Sequence, residues 1–255
     1  MRFTDLVFDL YGTLVDIHTE ENDVVWEKTS LYFGYYGAAY TGTSLKTDFQ
    51  SVMTERESVS GQSYEVYPDI PIESVMADLF RAKGIHDRAD ELGFNASQVF
   101  RIASTDYIRV YDGVFEALEA LRRKGFRLWL LSNAQRSFTA YELRHLGLDN
   151  QFDGIYLSSD HQCRKPDLRF YQALLRDHRL NPKKCLMIGN DRETDIAGAK
   201  AAGLATLYMH TNLTPSHQEQ ADPELFPGKN RDLRHYEFEG YGWHELSRLI
   251  HDTMQ

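Results

Sequence analysis

Short apolar runs and amphipathic stretches alternate through much of this chain. Leu6-Val7-Phe8, Leu128-Trp129-Leu130-Leu131 and Cys185–Gly189 are unbroken apolar runs of strand length, and residues 204–209 form another interrupted only by Thr206, as expected of strands buried on both faces of a sheet. Helical spacing lies between them. Val114, Ala117, Leu118 and Leu121 share one helix face, with Asp112 as its predicted cap and Gly125 as its stop. A helix through Tyr141 and Leu143 ends at Gly147, residues 155–157 predict a strand, residues 167–178 a helix, and Ile196, Ala199 and Ala202 a helix closed by Gly203. Strands alternating with helices predict a parallel α/β sheet.

Residues 17–108 break the alternation. Helical patterns over 24–36, 45–58, 72–82 and 96–108, joined by loops rich in Gly, Ser and Pro, predict an α-helical insertion just after the first strand. It carries a dense aromatic group, Tyr32, Phe33, Tyr35, Tyr36 and Tyr40, read mostly as packing with one or two facing a ligand. Residues 211–234 are polar, contain Pro215, Pro223 and Pro227, and read as a long loop; 235–239 predict an edge strand and 243–253 a closing helix.

At 255 residues the chain has room for a core domain and a sizeable insertion. Its 38 acidic against 28 basic residues leave a formal charge of −10, which argues against nucleic acid as a partner. Cys163 and Cys185 show no pairing or metal-ligand spacing and read as reduced thiols. No apolar stretch is long enough to span a membrane, and Asp5 and Asp9 interrupt what a leader peptide would need to be apolar. A cytoplasmic location is expected, so the glycosylation-type matches at Asn95 and Asn212 read as chance. The oligomeric state is left open.

Asp9, Ser132 and the pair Asn190-Asp191 each follow an apolar run. The predicted topology therefore gathers them at the carboxyl ends of strands, where open α/β sheets bind ligands. Gly12 breaks the first strand and Thr13 places a hydroxyl beside the turn. The run Val7-Phe8-Asp9-Leu10-Tyr11-Gly12-Thr13-Leu14-Val15-Asp16 resembles the first motif of the haloacid dehalogenase-like hydrolase superfamily, Asp-x-x-x-Thr after a hydrophobic strand. Leu128-Trp129-Leu130-Leu131-Ser132-Asn133 resembles the second motif and Arg164-Lys165-Pro166-Asp167 the third. Ile188-Gly189-Asn190-Asp191-Arg192-Glu193-Thr194-Asp195-Ile196-Ala197-Gly198-Ala199 resembles the fourth.

The resemblance implies a Rossmann-like α/β core formed by residues 1–16 and 109–255, with a helical cap over 17–108. It implies Asp9 as nucleophile and Lys165 as the cation that offsets developing charge. Thr13, Ser132, Asn133 and Tyr11 would bind the substrate. Asp9, the backbone carbonyl of Tyr11, and Asp191 would hold Mg²⁺, because magnesium takes oxygen ligands and relieves the crowding of carboxylates. Asn190 would support this set, and Asp195 would either orient Lys165 or cap its own helix. Arg56 and His18 are polar candidates near the cleft.

One position departs from the common pattern. Phosphatases of the superfamily mostly carry a second aspartate two residues after the nucleophile, where this chain has Tyr11. A phenol with a pKa of about 10 is a poor proton shuttle at neutral pH. The leading reading is a Mg²⁺-dependent phosphohydrolase of a small phosphorylated metabolite. Its rival is a metal-independent 2-haloacid dehalogenase, which the chain resembles in Tyr11 and in Lys165 with Tyr171 six residues on. A third reading is a non-catalytic module that binds a phosphometabolite or a partner.

Overall fold

The computed structural model describes residues 3–60, 67–215, 235–239 and 242–253. Six parallel strands form the central sheet: β1 (Asp5–Phe8), β4 (Arg127–Ser132), β5 (Gly154–Leu157), β6 (Cys185–Gly189), β7 (Ala205–His210) and β8 (His235–Glu239), in the spatial order β5-β4-β1-β6-β7-β8. The first strand is thus central, with Asp5 level with Arg127 on one side and Cys185 on the other.

Alternation along these strands divides the apolar side chains between two cores. Leu6, Phe8, Leu128, Leu130, Leu186 and Ile188 pack with α5 (Val114–Arg123) and α10 (Trp243–Thr253). Val7, Trp129, Leu131 and Met187 pack on the opposite face with α8 (Leu168–Asp177) and Ala199 of α9 (Gly198–Ala201). The alternating pattern therefore produces a Rossmann-like α/β sandwich, as the apolar runs predict. The edge strand and closing helix predicted at 235–239 and 243–253 are both present, and the predicted loop over 216–234 lies outside the described residues.

The insertion between β1 and β4 contains α1 (Asp23–Tyr35), α2 (Gly42–Ser60), α3 (Ile72–Ala82) and α4 (Ala89–Ser104). These helices bury their own apolar core, in which Phe33 stacks on Phe80 with centroids 4.1 Å apart and Trp26 packs 4.8 Å from Phe100. Two expectations are corrected. The predicted 96–108 helix begins earlier and stops at Ser104; residues beyond it form β3 (Thr105–Val110), antiparallel to an unforeseen β2 (Val15–Thr19). Alternating Thr105, Tyr107 and Arg109 with Ile108 and Val110 suits a pleat, and the opposing strand supplies the hydrogen bonds. The expected boundaries at 16/17 and 108/109 thus fall inside one ribbon, where Asp16 pairs with Arg109. Second, α5 starts from Gly113, in a left-handed conformation at φ +82°, with no side-chain cap from Asp112.

Candidate active site

The ladder of β1 runs on to Asp9, whose N–H donates to the Ile188 carbonyl at 3.0 Å. The chain then turns sharply. Leu14 N–H returns to the Leu10 carbonyl at 2.8 Å, and Gly12 sits at φ +81° directly against the Asn190 amide. A Cβ at position 12 would collide with that amide, so glycine is required by both the backbone angle and the close approach. The turn brings Thr13 Oγ1 to 3.2 Å from both Asp9 Oδ2 and Asn190 Oδ1.

Lys165 reaches this point from the loop before α8. Its Nζ donates to Asp9 Oδ1 at 2.7 Å and to Asp195 Oδ1 at 2.6 Å, with the side chain 1% exposed. Burial opposes the ammonium, but Asp195 and Asp9 outweigh it and raise the Lys165 pKa. Burial is also the largest influence on Asp195 and raises its pKa, although Lys165 pulls it down. Asp195 is therefore committed to Lys165, with its Oδ2 accepting from Asp191 N–H at 3.1 Å. The helix cap is Asp191 instead, whose Oδ1 accepts from the Glu193 and Thr194 N–H groups at 2.8 Å each. The two readings left open for Asp195 are resolved in this way.

Ser132 and Asn133 end β4. Asn133 clamps the Lys165 backbone, accepting from its N–H at 2.7 Å and donating to its carbonyl at 3.0 Å, so its amide serves the loop that carries the lysine. Ser132 Oγ is buried and has no hydrogen-bond partner among the described residues. A buried hydroxyl left in this state is a ready donor for an incoming anion. Tyr171 is fixed behind the loop, its hydroxyl donating to the Thr194 carbonyl at 2.5 Å.

Around these groups lies a cavity of about 250 Å³, lined by Asp9, Tyr11, Ser132, Asn133, Lys165, Asn190, Asp191, Thr194 and Asp195, with Leu213 and Pro215 closing one side. Seven of the sequence-predicted site residues other than Thr13 and Asp9 thus share a cavity with the proposed nucleophile. A larger open cavity of about 930 Å³ touches Lys165 and Asn133 from the far side, but Asp9 is not among its walls. Arg56 and His18 are not at the site: Arg56 pairs with Asp78 and Ser74 on the insertion, and His18 with Asp106 on the exposed ribbon. None of Tyr32, Phe33, Tyr35, Tyr36 or Tyr40 lines the Asp9 cavity among the described residues.

Two features escape sequence reading. Tyr11 turns its hydroxyl to Thr139 at 2.9 Å and to Glu142. Residues 211–215 form a pinned turn: Thr211 Oγ1 donates to the Gly12 carbonyl at 2.7 Å, and Asn212 donates to Asp16 at 3.0 Å while accepting from the Tyr111 hydroxyl at 2.6 Å. Its polar composition signals a loop, and only the fold shows that the loop walls the site with Leu213.

As candidate metal donors, Asp9, the Tyr11 carbonyl and Asp191 are all oxygen ligands, which suits Mg²⁺. Asp195 is turned onto Lys165, and no cluster of three or more acidic, His or Cys side chains arranged for a metal occurs among the described residues. A magnesium site here therefore has to include a backbone carbonyl and water.

The haloacid dehalogenase-like hydrolase family matches residues 6–203. The chain is 28% identical over 115 residues to a glyceraldehyde 3-phosphate phosphatase of Methanothermobacter thermautotrophicus, an alignment covering 45% of this chain and 51%, about half, of that protein. It is 23% identical over 244 residues to (S)-2-haloacid dehalogenase 4A of Burkholderia cepacia, covering 87% of this chain and 92% of the other. A 2-haloacid dehalogenase structure from Pseudomonas syringae pv. Tomato DC3000 shares the fold with a TM-score of 0.65 at 20% identity, over 98% of both chains. Strand order, the turn at Asp9 and the match across most of the sequence agree, and the chain belongs to the haloacid dehalogenase-like hydrolases.

Proposed function

We propose that the protein is a Mg²⁺-dependent phosphohydrolase acting on a small phosphorylated metabolite through Asp9. The observation that carries this reading is the charge of the cavity, where Asp9, Asp191 and Asp195 face a single cation, Lys165, among the described lining residues. An anionic substrate entering beside these carboxylates is repelled unless a further cation is present. Asp9, Asp191 and the Tyr11 carbonyl would hold Mg²⁺, which when bound supplies charge neutralisation and orientation of the phosphoryl oxygens. The likeness to a phosphatase of a phosphorylated three-carbon sugar supports the same substrate class.

In this reading a carboxylate oxygen of Asp9 attacks phosphorus, the ester P–O bond breaks, and the leaving oxygen departs with the electron pair. Lys165 and the hydroxyl of Ser132 stabilise the phosphoryl oxygens, while the Thr13 hydroxyl holds Asp9 Oδ2 in place. Water then attacks the phosphorus of the aspartyl phosphate, the P–O bond to Asp9 breaks with its electron pair returning to the carboxylate, and inorganic phosphate leaves, the proton lost by the water passing to solvent or to the released alkoxide. Because the Tyr11 hydroxyl is engaged by Glu142 and Thr139, it would not serve to protonate a leaving group, so substrates whose leaving group needs little protonation, aryl and acyl phosphates, are expected to outpace alkyl phosphates. Asp9→Asn should abolish turnover with the fold intact, since the amide is nearly isosteric and a far poorer nucleophile. Full phosphatase activity in chelator, or in Asp9→Asn, would overturn the proposal.

The second reading, hydrolysis of 2-haloacids, is favoured by the orientation of Tyr11, since a departing halide needs no proton. It predicts halide release that chelator leaves unchanged, and no phosphatase activity. Assaying phosphate esters, acyl phosphates and 2-haloacids with Mg²⁺ and with chelator separates the two.

A further inference from the structure

Tyr11 lies two residues beyond Asp9, with its backbone beside the proposed nucleophile and its ring reaching toward α6 (Arg136–His145). There its hydroxyl donates to Glu142, with Thr139 Oγ1 2.9 Å away. Glu142 in turn takes both arms of Arg101 from α4, at 2.6 Å from Nε and 3.1 Å from Nη2. The Arg101 and Glu142 side chains are only 16% and 11% exposed. The guanidinium also sits 5.4 Å from the centre of the Tyr11 ring and 4.8 Å from that of Phe138. Glu142, when ionised, can only accept hydrogen bonds, so Tyr11 is the donor of the bond between them. A bidentate, largely buried pair holds both side chains in one orientation.

Neither Arg101 nor Glu142 lines the Asp9 cavity, yet both converge on a residue that does. We propose that Arg101 and Glu142 are positioning residues that act through Tyr11: they fix its ring as a wall of the Asp9 cavity, register the inserted helices against the proposed nucleophile, and withhold the phenol from proton transfer. The inference rests on the proposal that Asp9 is the nucleophile. It goes further in making a contact between α4 and α6 a determinant of substrate binding.

Removing one member of a buried pair strands the other, so the informative variant is the double Arg101→Leu with Glu142→Leu, which leaves no unpaired charge. With aryl phosphate and Mg²⁺, or a 2-haloacid if that is the substrate hydrolysed, the double variant should raise KM about tenfold while kcat stays within about threefold. Arg101→Lys, which keeps the charge, should restore part of the lost affinity. Tyr11→Phe, which keeps the ring but loses the hydroxyl's tie to Glu142, should raise KM in the same direction as the double variant and leave the shape of the pH profile unaltered, because no proton transfer is lost. A kcat fall of about a hundredfold or more in Tyr11→Phe, with a changed pH profile, would overturn the inference, as would an unchanged KM in a folded double variant. Peptide-level hydrogen exchange supplies a readout independent of turnover. Exchange over residues 10–14 should rise in the double variant while residues 127–132 stay protected, and no change at 10–14 would also overturn it. Activity surviving in Asp9→Asn would mark failure of the underlying functional reading instead.

Discussion

At the scale of single residues, Ser132 separates stability from function. Its Oγ is buried without a partner among the described residues, and a buried unsatisfied hydroxyl costs stability that a methyl group does not. Ser132→Ala is therefore expected to leave the protein as stable as before or more stable by about 1 kcal/mol, while weakening inorganic phosphate binding and raising KM. Thermal unfolding and phosphate titration test both halves, and a clear loss of stability would show that the hydroxyl is satisfied in the folded protein. Gly12→Ala should be damaging for a different reason, since the substitution meets a left-handed backbone and the Asn190 side chain together. Its expected signature is a lower melting temperature accompanied by loss of phosphate binding.

At the scale of elements, the ribbon of β2 and β3 joins the insertion to the core through Asp16. Burial opposes the charged form of this carboxylate, but donation from Asn212 and Arg109 outweighs it and holds the pKa below the usual 3.8. A folded pKa below the unfolded one means stability that is present in full above about 3.8 and lost as pH falls below it. Denaturant unfolding of wild type and Asp16→Asn between about pH 6 and about pH 3 should show the wild type more stable at the upper end and the gap closing toward the lower. A constant gap would mean that Asp16 acts through packing and neutral hydrogen bonds alone. The same carboxylate receives Asn212 from the turn bearing Leu213, so Asp16→Asn should also loosen that wall of the cavity.

At the scale of the whole molecule, the inserted helices are tied to the core at more than the ribbon. Arg164 N–H donates to the Tyr67 carbonyl at 2.9 Å, Gln135 accepts from Ile72 N–H at 2.9 Å and donates to Asp69 at 2.7 Å, and Ser158 also donates to Asp69. On another side Arg101 meets Glu142. Opening of the insertion as a rigid cap would require these contacts to part together. Gln135→Ala removes one tie without creating a buried charge, and should raise hydrogen exchange over residues 67–75 while residues 127–132 remain protected. Unchanged exchange would show that Asp69 and Ser158 suffice. Tyr36→Ala, at a position outside the Asp9 cavity, is expected to leave KM unchanged.

Local signals along the sequence specify the parallel core, the insertion after the first strand and the gathering of Asp9, Ser132 and Asp191, whereas Lys165 follows no apolar run and was placed with them only by the resemblance of Arg164-Lys165-Pro166-Asp167 to a family motif. Unbroken apolar runs specify strands buried on both faces, and a glycine or polar residue at the end of each run places its successor at the carboxyl edge. Residues without such a signal were decided by tertiary structure. Thr105 through Val110 became a strand only because Val15 through Thr19 lay opposite to pair with them. Asp195 turned to Lys165, and not to its own helix start, because a buried ammonium 30 residues earlier in the chain needed a second carboxylate. Tyr11 found Glu142 across 131 residues of chain, and Asn212 found Asp16 across 196. Pattern along a chain reports what is near in sequence, whereas a buried hydrogen bond selects its partner by where the completed packing places it.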